Sequence, residues 1–311
     1  MRPRPYSGTQ RLAGTLAASG CLAAMLLAGA SGTALAAGLH PTASASRREV
    51  AQVRSYWTRA RMDRAPALDA PRADFLTASA SFAPVTEPAA LPNAVNGRLF
   101  VRQGGRDGFC SATAINSPTR RLVLTAGHCV NTGPVGLFGG SSIWSRFLEF
   151  VPAYENGVAP FGAFIAHRSH VYAPKQWVKT GNPNFDVGAV LTSPNAEGIN
   201  VADAVGGGAT VAVGLTRRQQ FQTFGFPGNG RHMQGCESPY VGDDSHTYPL
   251  PGPPTIAIRC HWAPGASGGG WLVNEGTTID GLTSYGRHGD RVHTFGPYFS
   301  PANVGHLIRG F

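Results

Sequence analysis

At 311 residues the chain is long enough for roughly two domains. Its 41 glycines and 24 prolines, set against only 14% charged residues, exclude coiled coils and long solvent-facing helices, while 42% apolar residues suffice for a core. The net charge of +9 divides into ten arginines and five acids over residues 1–92, and fourteen arginines, two lysines and twelve acids over residues 93–311; no basic cluster carries interleaved aromatics, so nothing points to nucleic acid.

Residues 1–36 read as a secretory signal. Arg2, Arg4 and Arg11 form a basic start, residues 12–35 are apolar or small, and Ala34-Leu35-Ala36 makes an A-x-A cleavage site. A membrane-spanning helix is the alternative, but Gly, Ser and Thr interrupt the run and a small-residue site closes it. Residues 37–95 are rich in Ala, Pro, Ser and Arg. Within them residues 47–64 predict a helix, marked by Tyr56-Trp57-Thr58 and Arg61-Met62. Pro66, Pro71, Pro84, Pro88 and Pro92 then break regular structure. This stretch reads as a pro-segment that blocks or templates the domain behind it; a surface linker or disordered arm is the plainer reading.

From Gly97 the texture is β. Short strands are predicted at residues 98–102, 109–115, 122–124 and 187–191, then, after the glycines at 206–208, near residue 210 and at 220–226, 255–261, 271–273 and 279–284, with a short helix at 303–308. The strands fall into two sets, at 96–205 and 206–311. Cys21 leaves with the signal, and four cysteines remain, an even number that suits an exported chain. Of the three possible pairings, Cys110–Cys129 and Cys236–Cys260 keep each bridge within one set of strands. A zinc site is the alternative, without C-x-x-C spacing to support it; His167 and His170 lie three apart with no neighbouring carboxylate and read as surface histidines.

Three residues offer chemistry. His128 follows an apolar strand and a tight Ala126-Gly127 turn, a place suited to a fixed general base, although a single histidine is more often structural. Ser267 lies between glycines that let a backbone approach closely, and the N–H groups of Gly265 and Ser267 can converge on an oxyanion. Asp186 opens the apolar run at 187–191, where a carboxylate needs a partner, and an imidazole N–H is one. Gly265-x-Ser267-x-Gly269 also fits an α/β-hydrolase elbow. That fold needs the order Ser, acid, His and a helix after the serine, whereas here only 44 residues follow Ser267 and three glycines come next.

The order His128, Asp186, Ser267, with Thr125-Ala-Gly-His-Cys129, Asp186-Val-Gly-Ala-Val-Leu191, Gly265-Ala-Ser-Gly-Gly269 and Ser284-Tyr-Gly286, resembles the trypsin-like serine proteases of the chymotrypsin clan. Gly97-Arg-Leu-Phe100, Thr223-Phe-Gly-Phe-Pro227 and the Tyr-Trp-Thr…Arg-Met stretch are similar to secreted bacterial trypsin-like and glutamyl-endopeptidase-like enzymes. The resemblance covers residues 97–311 and, more loosely, the pro-segment. It implies an all-β fold of two antiparallel six-stranded β-barrels with the active site in the cleft between them. It further implies acyl transfer by His128, Asp186 and Ser267 on protein or peptide substrates. Ser284 and Gly286 would line the substrate strand and His261 the primary pocket. No cofactor or metal is needed, and the mature form would be extracellular, monomeric and free of the membrane. A catalytically silent homologue that binds a protein partner is the reading from another class. Two departures stand out. Ala266 replaces the aspartate that binds the new amino terminus in the animal enzymes, so removal of the pro-segment is expected to uncover a site already formed. Thr283 replaces the histidine of glutamate-preferring relatives, and no acid for Arg or Lys specificity is evident, which leaves the preferred residue open.

Overall fold

The computed structural model describes residues 45–69, 82–135, 140–309 and 311; the expected signal, residues 37–44 and 70–81 of the expected pro-segment and the side chain of His167 lie outside them. Six strands close the first barrel in the order β2-β3-β4-β7-β6-β5. They are β2 (Asn96–Gln103), β3 (Arg106–Ala114), β4 (Leu122–Thr125), β5 (Arg146–Pro152), β6 (Phe164–Tyr172) and β7 (Gly188–Thr192), and β1 (Ala83–Pro84) precedes them in the chain. The β2–β3 hairpin turns at Gly104-Gly105, with φ of 57° and 82°, the left-handed pair that a two-residue hairpin loop requires. β4 lies between β3 and β7 and is buried at all four positions, hence its unbroken apolar run. β5 and β6 were not legible as strands in the sequence. β5 carries Arg146 and Glu149 among its apolar residues, and β6 shifts register between Ala166 and Val171.

The second half contains β8 (Thr210–Val211), β9 (Gln220–Gly225), β10 (Gln234–Asp243), β11 (Ile256–Ile258), β12 (Gly270–Val273), β13 (Thr278–Leu282) and β14 (Thr294–Gly296). Here the structure departs from the expected second closed barrel. Among the described residues the strands form an open path, β14-β11-β10-β9-β12-β13-β8, and β1 adds to β10. The two arms meet at one bridge, Tyr285 opposite Phe295. There Ser284 and Tyr285 N–H donate to Phe295 O (3.0 and 3.1 Å) and Phe295 N–H donates to Tyr285 O (2.9 Å), while Thr283 prolongs the pairing of β13 with β12 through Gly269 O and Gly268 N–H (2.9 and 2.7 Å).

The helix expected over 47–64 is two helices, α1 (Arg47–Tyr56) and α2 (Arg59–Arg64). Thr58 divides them, because its hydroxyl accepts from Arg61 N–H and so starts a new helix, as Ser46 does for α1 through Glu49 N–H. Both helices cover the outside of the first barrel. Trp57 is 4% exposed, its ring 5.4 Å from Phe100, and Tyr56 stacks on Phe147 at 4.4 Å. Beneath them the Arg98 guanidinium lies 3.7 Å from the Phe109 ring centre, and burial lowers its pKa to about 10.

Glu149 of β5, opposite Phe100 in register, is sealed under the same cover. Its Oε2 has no hydrogen-bond partner among the described residues, and burial, opposed by the charge of Arg54, pushes its pKa up to about 8. An acid with a raised folded pKa favours the fold while protonated, and that advantage is lost as pH rises from the ordinary carboxyl value through about 8. Glu149→Gln is therefore expected to match the parent Tm near pH 4 and to exceed it increasingly up to about pH 8, which thermal melts of the full-length chain across this range will check.

Candidate active site

Asp186 and His128 meet where β4 and β7 end. β4 runs out at Thr125, Ala126 turns the chain, and one helical turn, α3 (Gly127–Val130), presents His128. Gly127 is required: a Cβ there would lie 2.8 Å from Asp186 Oδ1 and 3.0 Å from the Trp177 ring. The Asp186 carboxylate, 3% exposed, accepts from His128 N–H at Oδ1 (2.7 Å) and from His128 Nδ1 and Ser284 Oγ at Oδ2 (2.8 and 2.5 Å). Three donors offset the cost of burying its charge. The Cys110–Cys129 disulfide ties α3 to β3, and Gln103 Nε2 holds the His128 carbonyl at 3.0 Å. The second disulfide joins Cys236 and Cys260.

Ser267 lies 3% exposed on the loop before β12. Ser111 of β3 fixes this loop to the first barrel: its N–H donates to Ser267 O (2.8 Å), and its hydroxyl donates to Gly265 O (2.9 Å) while accepting from Phe226 N–H (2.9 Å). Gly265 has φ +96°, and a Cβ there would stand 2.6 Å from Phe226 O; at Gly268, φ +83°, it would stand 2.1 Å from Thr125 Oγ1. These glycines permit the two halves to touch at the loop.

Ser267 Oγ does not donate to His128. It donates to Asp69 Oδ2 at 2.6 Å, and Gly265 N–H donates to Asp69 Oδ1 at 2.8 Å. Among the described residues His128 Nε2 is shielded from solvent without a hydrogen-bond partner. Burial works to lower the imidazole pKa, but the charge and hydrogen bond of Asp186 and the charge of Asp69 overcome it and raise the value to about 9. Asp69 is thus in contact with Ser267 and within electrostatic reach of His128.

The remaining expected residues are dispersed. Ser284 supports Asp186 with its side chain, a role its sequence context did not suggest. Gly286 is exposed, with open space where a Cβ would be. His261 is partly buried, its Nδ1 without a hydrogen-bond partner, and adjacent Trp262 stacks on Phe82 at 4.3 Å. Beyond Ser284, buried Asp244 accepts from Tyr285 OH (2.7 Å) and Arg287 Nε (3.0 Å), which fixes the course of that segment. Ser111, Asp69 and Asp244 carry no local sequence signal; each acts through partners distant in the chain. Among the described residues one group has the proximity to hold a metal, Cys110, His128 and Cys129, but both sulfurs are spent in the disulfide.

Solved structures share this architecture. The chain is similar to a protease, Anisep, from Arthrobacter nicotinovorans (28% identity, TM-score 0.60, covering 70% of this chain and 94% of that one). It is equally similar in fold to a thermostable serine protease, AL20, from an extremophilic microorganism (26% identity, TM-score 0.60, covering 70% and 95%). A Glu endopeptidase shares the fold at 18% identity, with a TM-score of 0.57 over 74% and 95% of the two chains. No protein-family profile and no curated protein matches the sequence. The chain is a structural homologue of the chymotrypsin-clan serine proteases.

Because the folded His128 value lies above the ordinary ~6.5 of an imidazole, its charged form contributes stability that is fully present below that value and is lost as pH rises through about 9. In a Glu149→Gln background the His128 contribution to the stability of the full-length protein is expected to fall by about 3 kcal/mol over this window, and the loss should shrink on adding Asp186→Asn, as read by denaturant melts at several pH values.

Proposed function

We propose that the chain is a secreted serine endopeptidase, made with a removable pro-segment, that cleaves peptide bonds through Ser267, His128 and Asp186. The observation that carries this reading is the convergence of the three residues: Asp186 holds His128 Nδ1 and, with a smaller share from the charge of Asp69, raises its pKa, while Asp69 bonds Ser267 Oγ beside it. The homology supports a protease at the level of the clan. Two disulfides suit an oxidising, extracellular compartment. Among the described residues no helix is long and apolar enough to cross a membrane.

With Asp69 withdrawn, Ser267 Oγ would turn to His128 Nε2. His128 takes the hydroxyl proton as Oγ attacks the carbonyl carbon, and the N–H groups of Gly265 and Ser267 hold the resulting oxyanion. Collapse breaks the C–N bond, and His128 gives its proton to the leaving amine. Water, deprotonated by the same imidazole, then releases the acid. Asp186 stabilises the imidazolium and fixes the tautomer without taking a proton. His128 must be neutral to begin, so activity falls on acidification.

The division expected from the sequence accompanies this reading: signal 1–36, pro-segment 37–95, first half 96–205 with His128 and Asp186, second half 206–311 with Ser267. On that division α1, α2 and β1 all belong to the removable part. Ala266 is fully buried, its Cβ 2.9 Å from where a Cβ on Gly225 would be, so the loop is packed without a salt bridge to a new amino terminus. Substrates are proteins or peptides, with His261, Ser284 and Gly286 as candidates around the binding strand, and the mature enzyme acts as a monomer without cofactor.

A serine-reactive phosphonate should label the processed protein once, at Ser267, and Ser267→Ala should abolish labelling and lower peptide hydrolysis roughly 10⁶-fold. Unlabelled processed protein, or labelling that survives Ser267→Ala, would overturn the reading in favour of a silent homologue. A peptide-library digest then gives the residue preferred before the cut.

A further inference from the structure

Residues 65–69 enter the site along the edge of β3. Phe109 N–H donates to Pro66 O (3.0 Å) and Leu68 N–H donates to Phe109 O (2.9 Å), with Ala67 paired parallel to Phe109. Leu68 fits over Gly108, where a Cβ would lie 2.9 Å from its Cδ1. Upstream the segment is anchored by Trp57 under α1, by Arg98 Nη2 on Ala65 O (3.4 Å) and by Arg59 Nη2 on Asn156 O (2.6 Å). Asp69 therefore arrives at Ser267 on a chain held at several independent points.

We propose that Asp69 is the inhibitory residue of the pro-segment: its side-chain carboxylate, bound by Ser267 Oγ and Gly265 N–H, takes the place of the reacting carbonyl and holds the nucleophile away from its base. This inference rests on the protease reading above and names how that site is kept silent.

Three physical consequences follow from the contact. A carboxylate is a poor acyl donor, because attack on it would place a second negative charge on the oxygens of one tetrahedral centre and require oxide to leave, so the serine hydroxyl donates to it and makes no bond. The proton that His128 must take is committed to an anionic oxygen, and a hydrogen bond to a charged acceptor is about twice as strong as a neutral one. The same charge adds to that of Asp186 in favouring the imidazolium. Nothing covalent forms or breaks, and the block lifts when the segment leaves. It is also the Asp69 side chain that Ser267 and Gly265 bind, so the inhibitory contact presents no scissile amide.

The full-length chain tests this with a phosphonate probe at pH 7.5, unprocessed and processed forms being separated by size on a gel. Unprocessed parent chain is expected to label at least tenfold more slowly than unprocessed Asp69→Ala. Asp69→Asn, which keeps the size of the side chain but not the charge, should likewise label faster than parent, and thermal melts will show that both variants fold. If neither folded variant labels faster than parent while processed parent labels normally, the inhibitory role of Asp69 is overturned and the protease reading stands. If processed parent does not label, it is the protease reading that fails.

Discussion

A carboxylate buried between two strand ends must be supplied with donors, and that requirement shapes this molecule. Asp186 receives them from three directions: the backbone and ring of His128 and the hydroxyl of Ser284. The first two donors belong to the first barrel and the third to the second half of the chain. Satisfying one charge therefore fixes the pose of the imidazole and registers the two halves against each other. Gly127 is part of the same constraint, since any side chain there would collide with the carboxylate or with Trp177. Removing a donor would leave a buried anion short of partners, which costs more than the hydrogen bond alone is worth.

The loop around Ser267 is governed by a complementary seam. Ser111 lies next to Cys110 in β3 and reaches across to Gly265, Ser267 and Phe226. Thr125 Oγ1 holds the Ser111 carbonyl from the other side at 2.8 Å. The disulfide next to Ser111 and the one-turn helix that carries His128 are thus joined to the same strand. His128 and Ser267 come from different halves, yet both are referred to β3, which limits how far one can drift from the other. The close approach is possible because Gly265 and Gly268 take conformations in which a β-carbon would strike backbone or hydroxyl atoms.

The sequence disclosed those parts whose physics is local. β4 and β7 are buried on both sides and read as apolar runs; Gly265 and Gly268 announce a special backbone around Ser267; His128 and Asp186 stand at the ends of apolar strands. The cysteine pairs follow from even counting and from their place within each set of strands. The parts that stayed hidden depend on distant partners. β5 escaped because Glu149 interrupts its pattern, and its burial makes sense only once α1 covers it. The break between α1 and α2 is a capping event at Thr58 inside a run that otherwise propagates a helix. Among the described residues the second half does not close as a continuous ladder, since its two arms meet in bonds between Phe295 and the Ser284-Tyr285 segment beyond β13, a pairing of distant positions. Asp69 has no motif around it at all; only the path of residues 65–69 along Phe109 brings it to Ser267.

The contact between Asp69 and Ser267 spans 198 positions of one chain, and this has a consequence for where the molecule is silent. A block tethered in cis acts at a fixed effective concentration, of millimolar order for short flexible tethers, and is indifferent to dilution. Once the tether is cut, the same contacts must hold a separate fragment, and occupancy then depends on how much of that fragment is in solution. A cell interior retains the fragment near its partner, whereas the volume outside the cell disperses it. On the function proposed above, export would convert a single scission, reversible in its binding, into a one-way release.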